Sequence, residues 1–557
     1  MTISEQSKRG EEEFEEALRW EKGDGVEKDL FEATEHLQKA ANLNHTGAMV
    51  KLGKAYLSGH GVMRNTKKAV ELFKQASSMG DTDGMVELGH CHEIGAGVTS
   101  DPEEAMRLYT EAAKQGNPEA MFRLGCMLFD GRGVAGDQSE AIKWWTQSSE
   151  QGNVPAMKRL CDYYENGRGI WKDINKAIHF MRMASDKGDE ESMMRLARHF
   201  EDGVGVAMDL DKAYELFKKA FTCHTKEIFD DVVSKEEKED RERIVYETWK
   251  RLGKKGHVGS LNSLGDCYST GQGVEQDKKK AFELYEKAMK KGDVDALFNA
   301  GDCYDLGQGV EQDKVKAFDC FLKSAKCGHA AAMNRVGRCF DKGEVVTQDF
   351  TKAFEWYLKS ANNGNADAMN NVGKCYEKGR GVTRDFTKAF EWYLKAANNG
   401  NADAMLYVGA CYAKGEGVTR DFTKAFEWYL KSAENGNSVA MNNVGWRFEN
   451  GRGVTQDKTK AFEWFLKSAS NGSSYGMNHV GWCYEKGEGV TRDLTKAYEW
   501  YLKSANNGSA DAMFNVGECF FNGKGVAQDK KAAFEWYLKA ANKGNERAKA
   551  IMKNWSK

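Results

Sequence analysis

Apolar and small residues recur along this chain at helical spacing, in two alternating stretches separated by two kinds of glycine break. In 401–436 the stretch NADAMLYVGACYAKG carries Ala404, Val408, Gly409 and Tyr412 on one helical face. GEGVTRD then interrupts the helix, because glycine enters positive φ at little cost and suits a helix C-terminus and a tight loop. Asp421 stands where its carboxylate would accept bonds from the free amides of a following helix. That second helix is FTKAFEWYLKSAENG, closed by Gly436.

The second helix cannot be stable alone. In 386–400 Ala389, Tyr393 and Ala396 line one face, while Phe390, Leu394 and Ala397 line the next. Only Lys388, Glu391, Lys395 and Asn398 form a clear polar stripe. So wide an apolar surface needs neighbours on both sides, which stacked helical hairpins supply. Glu391 and Lys395 are spaced as an i,i+4 ion pair, repeated as Glu355/Lys359, Glu427/Lys431 and Glu499/Lys503.

The same unit repeats along the chain. The motif G-x-G-V begins at Gly23, Gly59, Gly95, Gly131, Gly167 and Gly203, then again at Gly271, Gly307, Gly343, Gly379, Gly415, Gly451, Gly487 and Gly523. Ile170 replaces the valine in one copy, and Val345 replaces the second glycine in another. Successive starts are 36 residues apart, except that 203 to 271 spans 68, four short of two periods. This gap predicts a fifteenth, degenerate unit without the glycine loop, whose run SKEEKEDRER (234–243) reads as a solvated helix face. Aspartate ends every such loop except at Asn65, which caps equally well. The expected organisation is 1–220 as N-terminal repeats, 221–256 as a degenerate unit and joint, and 257–557 as C-terminal repeats with a terminal capping helix.

The pattern A-x-x-x-V/L-G-x-x-Y-x-x-G-x-G-V-x-x-D-x-x-K-A-x-x-W-Y-x-K-A/S-A-x-x-G, nearly complete in GKCYEKGRGVTRDFTKAFEWYLKAANNG (373–400), resembles the Sel-one-like repeat, a relative of the tetratricopeptide repeat. The resemblance covers roughly 10–550. It implies an all-α fold, a right-handed α–α superhelix (solenoid) of 36-residue antiparallel helix pairs whose first helices line a concave face. It also implies an adaptor that assembles protein complexes. Relatives in the endoplasmic reticulum carry a signal and an anchor, secreted cysteine-rich ones pair cysteines within each unit, and elongation-factor kinases add a kinase domain. None of these additions is read in this chain.

Composition supports an array. A chain of 557 residues is too long for one core, and 58 glycines with only 3 prolines fit one glycine turn used repeatedly. A net charge of −3 gives no basic stripe for nucleic acid. The charged N-terminus MTISEQSKRGEEEFEEALRW has no apolar signal core, no run approaches a membrane span, and MKNWSK carries no prenylation box. A cytoplasmic location is expected. Cys91, Cys267, Cys303, Cys339, Cys375, Cys411, Cys483 and Cys519 occupy one repeat position, so helix spacing keeps them apart as reduced packing residues.

Candidate chemistry is absorbed by the repeat. GRGVAG (131–136) fits G-x-G-x-x-G, but it follows a helical segment rather than a strand. His90, Cys91 and His92 cannot converge on a metal from consecutive helical positions. There is no H-E-x-x-H, P-loop or S-x-x-K. Trp356, Trp392, Trp428, Trp464, Trp500 and Trp536 form a ladder of period 36 that reads as inter-helix packing. No cofactor, metal or catalytic residue is expected.

Binding is expected where units differ. The residues three before and one after the repeat glycine lie four apart on the first helix, and by analogy with tetratricopeptide repeats they face the groove. They pair as Asn262/Asp266, Phe298/Asp302, Asn334/Arg338, Asn370/Lys374, Leu406/Ala410, Asn442/Trp446, Asn478/Trp482 and Phe514/Glu518. The asparagines offer donors and acceptors to an extended peptide, Trp446 and Trp482 add apolar area, and Arg338 and Lys374 suit an acidic stretch. In the N-terminal half the same path holds Val50/Lys54, Val86/His90, Phe122/Cys126, Lys158/Asp162 and Met194/Arg198, with no ladder. The alternative for the asparagines is that unit duplication simply left them as solvated helix residues. The leading function is a protein-binding scaffold, against a regulatory subunit that activates one enzyme, or an uncharacterised enzyme.

Overall fold

Both glycine breaks form as their positions require. In the computed structural model, which describes residues 3–24, 26, 28–167, 171–225 and 234–555, the chain is all-helical, with thirty helices among the described residues. The repeat is a hairpin such as Ala366–Lys378 and Phe386–Asn398. Gly379 closes the first helix in the left-handed conformation at φ 67°, and Asp385 caps the second by accepting from the Lys388 amide at 3.0 Å. The second glycine of the loop is required twice over. Gly417 has φ +74°, and a Cβ there would lie 2.0 Å from the Phe386 carbonyl oxygen, at the start of the preceding unit's second helix. The G-x-G loop therefore locks each unit onto the one before it.

The core repeats with the sequence. Tyr393 is 1% exposed and its ring lies against Gly373, where an added Cβ would come within 2.6 Å of it. Burying such a ring contributes roughly 2 kcal/mol, so the repeat glycine exists to admit the aromatic. A buried serine adds a clamp not foreseen from sequence: the Ser432 hydroxyl donates to the Ala402 carbonyl at 2.6 Å, and Ser360, Ser468 and Ser504 do the same at 2.7 Å. Each ties the end of a second helix to the start of its own first helix.

One repeated expectation fails. Among the described residues Glu355, Glu391, Glu427 and Glu499 make no ion pair with the lysines four residues on. Those lysines instead sit over the tryptophan three residues back, Lys395 at 4.4 Å from the Trp392 ring and Lys503 at 4.3 Å from that of Trp500. A desolvated ring face is a better partner than an exposed carboxylate that water already solvates. The six tryptophans are half-buried against their cores under these lysines.

The chain divides into two compact units, Met1–Ser260 and Leu261–Lys557. The irregular segment closes the first. The helix Leu210–Thr225 runs three residues longer than the usual 13, and a 20-residue helix, Lys235–Lys254, starts from a Ser234/Glu237 capping box. Of the run 234–243, Arg241 and Glu242 are half-buried and the rest are exposed. Farther along, Trp249 is 5% exposed and packs against Tyr214 and Phe221. Arg251 donates to both oxygens of the buried Glu201 at 2.7 and 3.0 Å, which fixes this helix to Glu190–Asp202.

Candidate functional site

The first helices carry the variable positions, and their geometry follows one rule. The residue one after a repeat glycine reaches the residue two before the next repeat glycine. In the N-terminal unit this contact is polar: Lys54–Glu87 at 2.9 Å, Arg123 donating to the His90 ring at 3.0 Å and Arg195–Asp162 at 2.7 Å. In the C-terminal unit it begins the same way, with Asn299 donating to Asp266 at 3.2 Å and Arg335–Asp302 at 3.1 Å. It then changes character, and Lys374 lies 5.0 Å from the Tyr407 ring. Burial pushes the Lys374 ammonium below the usual lysine range.

The asparagine row lies mostly inside the stack. Asn334, Asn370 and Asn442 are 9%, 4% and 9% exposed, and Asn478 is half-buried. Asn371 donates to the Asn334 carbonyl at 3.0 Å, Asn515 to Asn478 at 2.9 Å and Asn299 to Asn262 at 3.0 Å. The position three before the glycine thus turns towards the neighbouring first helix, where Val50 and Val86 are buried in the N-terminal unit. Helix rotation within the stack decides this, and a spacing of four cannot reveal it. The row that remains accessible is one after the glycine: Arg338 is exposed, while Lys374, Trp446 and Trp482 are half-buried. The Trp446 ring carries the guanidinium carbons of Arg447 at 5.4 Å and Arg452 at 5.0 Å. Trp482 packs beside the Val480–Cys483 and Val516–Cys519 cores.

No chemistry competes for this surface. Among the described residues no three histidine, cysteine or acidic side chains are grouped to hold a metal, and no helix is long and apolar enough to cross a membrane. The twelve described cysteines are free, and burial pushes the thiol of Cys91 up to about 11 and that of Cys375 up to about 12. Such thiols stay protonated and packed. In GRGVAG, Gly131 and Gly133 are ordinary loop glycines between Pro118–Asp130 and Gln138–Glu150. Ile170 lies outside the described residues.

The repeat is matched by the sequence profile described as Sel1 repeat, at 17–45, 46–81, 82–117, 118–153, 154–189, 190–223, 259–293, 294–329, 330–365, 366–401, 402–437, 438–473, 474–509 and 510–545. A comparison with curated protein sequences finds no match. Among solved structures, similarity extends to a protective antigen of uropathogenic Escherichia coli with an SLR fold, 27% identical over 94% of this chain and 97% of that one, TM-score 0.44. A Sel1 repeat protein from Oxalobacter formigenes is 32% identical over 45% of this chain and 98% of that one, TM-score 0.41. Yeast Tom70 is 11% identical over 86% of this chain and 96% of that one, TM-score 0.33.

Proposed function

We propose that this chain, which belongs to the Sel1 repeat family, is a non-catalytic scaffold or adaptor that brings proteins together along the first-helix row of its C-terminal unit. The observation that carries this reading is how the row spends its side chains. In the N-terminal unit, charges at this position are taken up by the next repeat, as in Lys54–Glu87 and Arg195–Asp162. In the C-terminal unit Arg338 is exposed, and Trp446 and Trp482 keep part of their rings open. Large aromatics and arginine with unspent surface are the residues that dominate protein interfaces. The amides of Asn334 and Asn478 serve this row by bonding the helices beneath it to their neighbours. Free thiols fit a cytoplasmic setting.

The test is a cross-linked capture from native cytosol with the full chain, compared with the triple variant Arg338→Ala, Trp446→Ala, Trp482→Ala. Circular dichroism is expected to be unchanged, and specific partners to be lost. Retention of the same partners by the folded variant would move the binding surface elsewhere. A single stoichiometric enzyme partner whose activity rises on binding would favour the activator reading.

A further inference from the structure

Where a unit buries a tyrosine on its second helix, an acid of its first helix stands by that tyrosine, and one such unit has no acid there. In two units an acid four after the repeat glycine receives both the tyrosine hydroxyl of its own second helix and the cation seven after the next glycine, and in two others it meets one of these partners. Glu93 accepts from Tyr109 at 3.0 Å and pairs with Arg132 at 2.9 Å. Glu485 accepts from Tyr501 at 2.9 Å and pairs with Lys524 at 2.9 Å. Glu377 accepts from Tyr393 at 2.8 Å, and Asp341 faces Arg380 at 3.7 Å. Where the acid stands one after the glycine instead, Asp266 and Glu518 take the hydroxyls of Tyr285 and Tyr537. In the unit of Gly409 both positions are alanine, Ala410 and Ala413.

The cations around this vacancy are present in excess. Arg452 occupies the usual position seven after Gly445, and Arg447 stands two after it, where sister repeats carry cysteine. Arg447 is 5% exposed, its Nη1 has no hydrogen-bond partner, and its guanidinium carbon lies 5.4 Å from the ring of the buried Tyr429. Arg420, Arg447 and Arg452 all lie within 5.9 Å of the Phe422 ring, at 5.4, 5.3 and 5.9 Å. Among the described residues none of the three pairs with a carboxylate. Aromatic faces are weak compensation for a desolvated guanidinium with two like charges nearby, so the buried Arg447 calls for an anion. Arg452 is exposed beside the half-buried Trp446, which leaves the junction an approach from solvent.

We propose that Tyr429, Arg447 and Arg452 form a receptor for a carboxylate supplied from outside the chain, taking the place that Glu377 and Glu485 fill internally in sister repeats. Planar bidentate guanidinium contacts suit a carboxylate, and the tyrosine hydroxyl supplies a further donor, as it does to the internal acids. The source argued here is an acidic side chain of a bound protein, which rests on the scaffold reading because the site adjoins Trp446. The same chemistry would accept a free dicarboxylate.

The experiment is calorimetric titration of the full chain, at fixed ionic strength, with a hexaglutamate peptide and separately with glutarate. The variants are Ala413→Glu, which restores the internal acid, and Arg447→Cys, which restores the repeat residue. Saturable binding to wild type is expected, weakened at least tenfold in both variants, with Ala413→Glu also raising the melting temperature. A peptide at least tenfold tighter than glutarate identifies a protein source, and equal affinity identifies a small dicarboxylate. No saturable binding of either probe to wild type, or unchanged binding to Ala413→Glu, overturns the site. Loss of native partners in Arg338→Ala/Trp482→Ala but not in Ala413→Glu would retain the scaffold and remove the carboxylate from its recognition. Peptide binding without any native partner would do the reverse.

Discussion

The two units solve the same packing problem with different chemistry. Neighbouring first helices of the N-terminal unit are joined by ions, as in Lys54–Glu87 and Arg195–Asp162. Those of the C-terminal unit are joined largely by neutral amides, Asn262 with Asn299, Asn334 with Asn371 and Asn478 with Asn515. Ion pairs satisfy the side chains that would otherwise face a partner, and salt screens them. Amide bridges are insensitive to salt and pH, and they free the adjacent row for residues such as Arg338, Trp446 and Trp482. The difference therefore separates a unit that spends its surface on itself from one that keeps it open.

The sharpest way to break this comparison is acid. The Glu93 carboxyl is held down to about 2 by the adjacent His90, by the hydrogen bond from Tyr109 and by the charges of Arg132 and Arg123, against its burial. Its folded value lies below the unfolded one. Its contribution, roughly 3 kcal/mol, is therefore complete above about pH 4.5 and lost as pH falls towards 2. Amide hydrogen exchange should show 82–130 losing protection across that window while the amide bridges of 330–378 hold. Equal loss in both segments would end the distinction.

Next in size is the anchor of the irregular helix. Glu201→Gln leaves Arg251 with a neutral acceptor and should cost about 2 kcal/mol, exposing 235–254 to exchange before either neighbouring repeat. No change in that helix would mean that Trp249 packing alone holds it. Asn371→Ala removes the donor to the buried Asn334 carbonyl and should cost about 1 kcal/mol, equally at low and high salt. Glu87→Gln, breaking an N-terminal pair, should cost less as salt rises. The smallest effect is a gain. Val345 holds φ +68°, which a β-branched residue adopts only under strain, so Val345→Gly should stabilise the Gly343 loop by about 1 kcal/mol in denaturant unfolding. A loss there would show that the valine side chain packs for more than its backbone costs.

Much of the fold was legible in the residues themselves. The period of 36, the glycine loops, the Asp caps and the buried Tyr393 series follow from local rules that each unit states afresh. The Ser432 clamp could have been found, since serine recurs at one second-helix position, but nothing local says which carbonyl it meets. The orientation of the asparagine row was not legible. A four-residue spacing places Asn334 and Arg338 on one side of a helix, and only the rotation of that helix against its neighbour decides that Asn334 is buried and Arg338 exposed.

The sequence by itself therefore determined the architecture, because backbone conformation and apolar periodicity are properties of each unit taken alone. The tertiary structure decided which side chains are spent between units and which are left over. Lys395 prefers Trp392 to Glu391, Asn371 finds Asn334, and Arg447 meets an alanine junction where a carboxylate would otherwise stand. The last two are relations between residues about one repeat apart. Their outcome depends on desolvation, which exists only once the neighbours are in place.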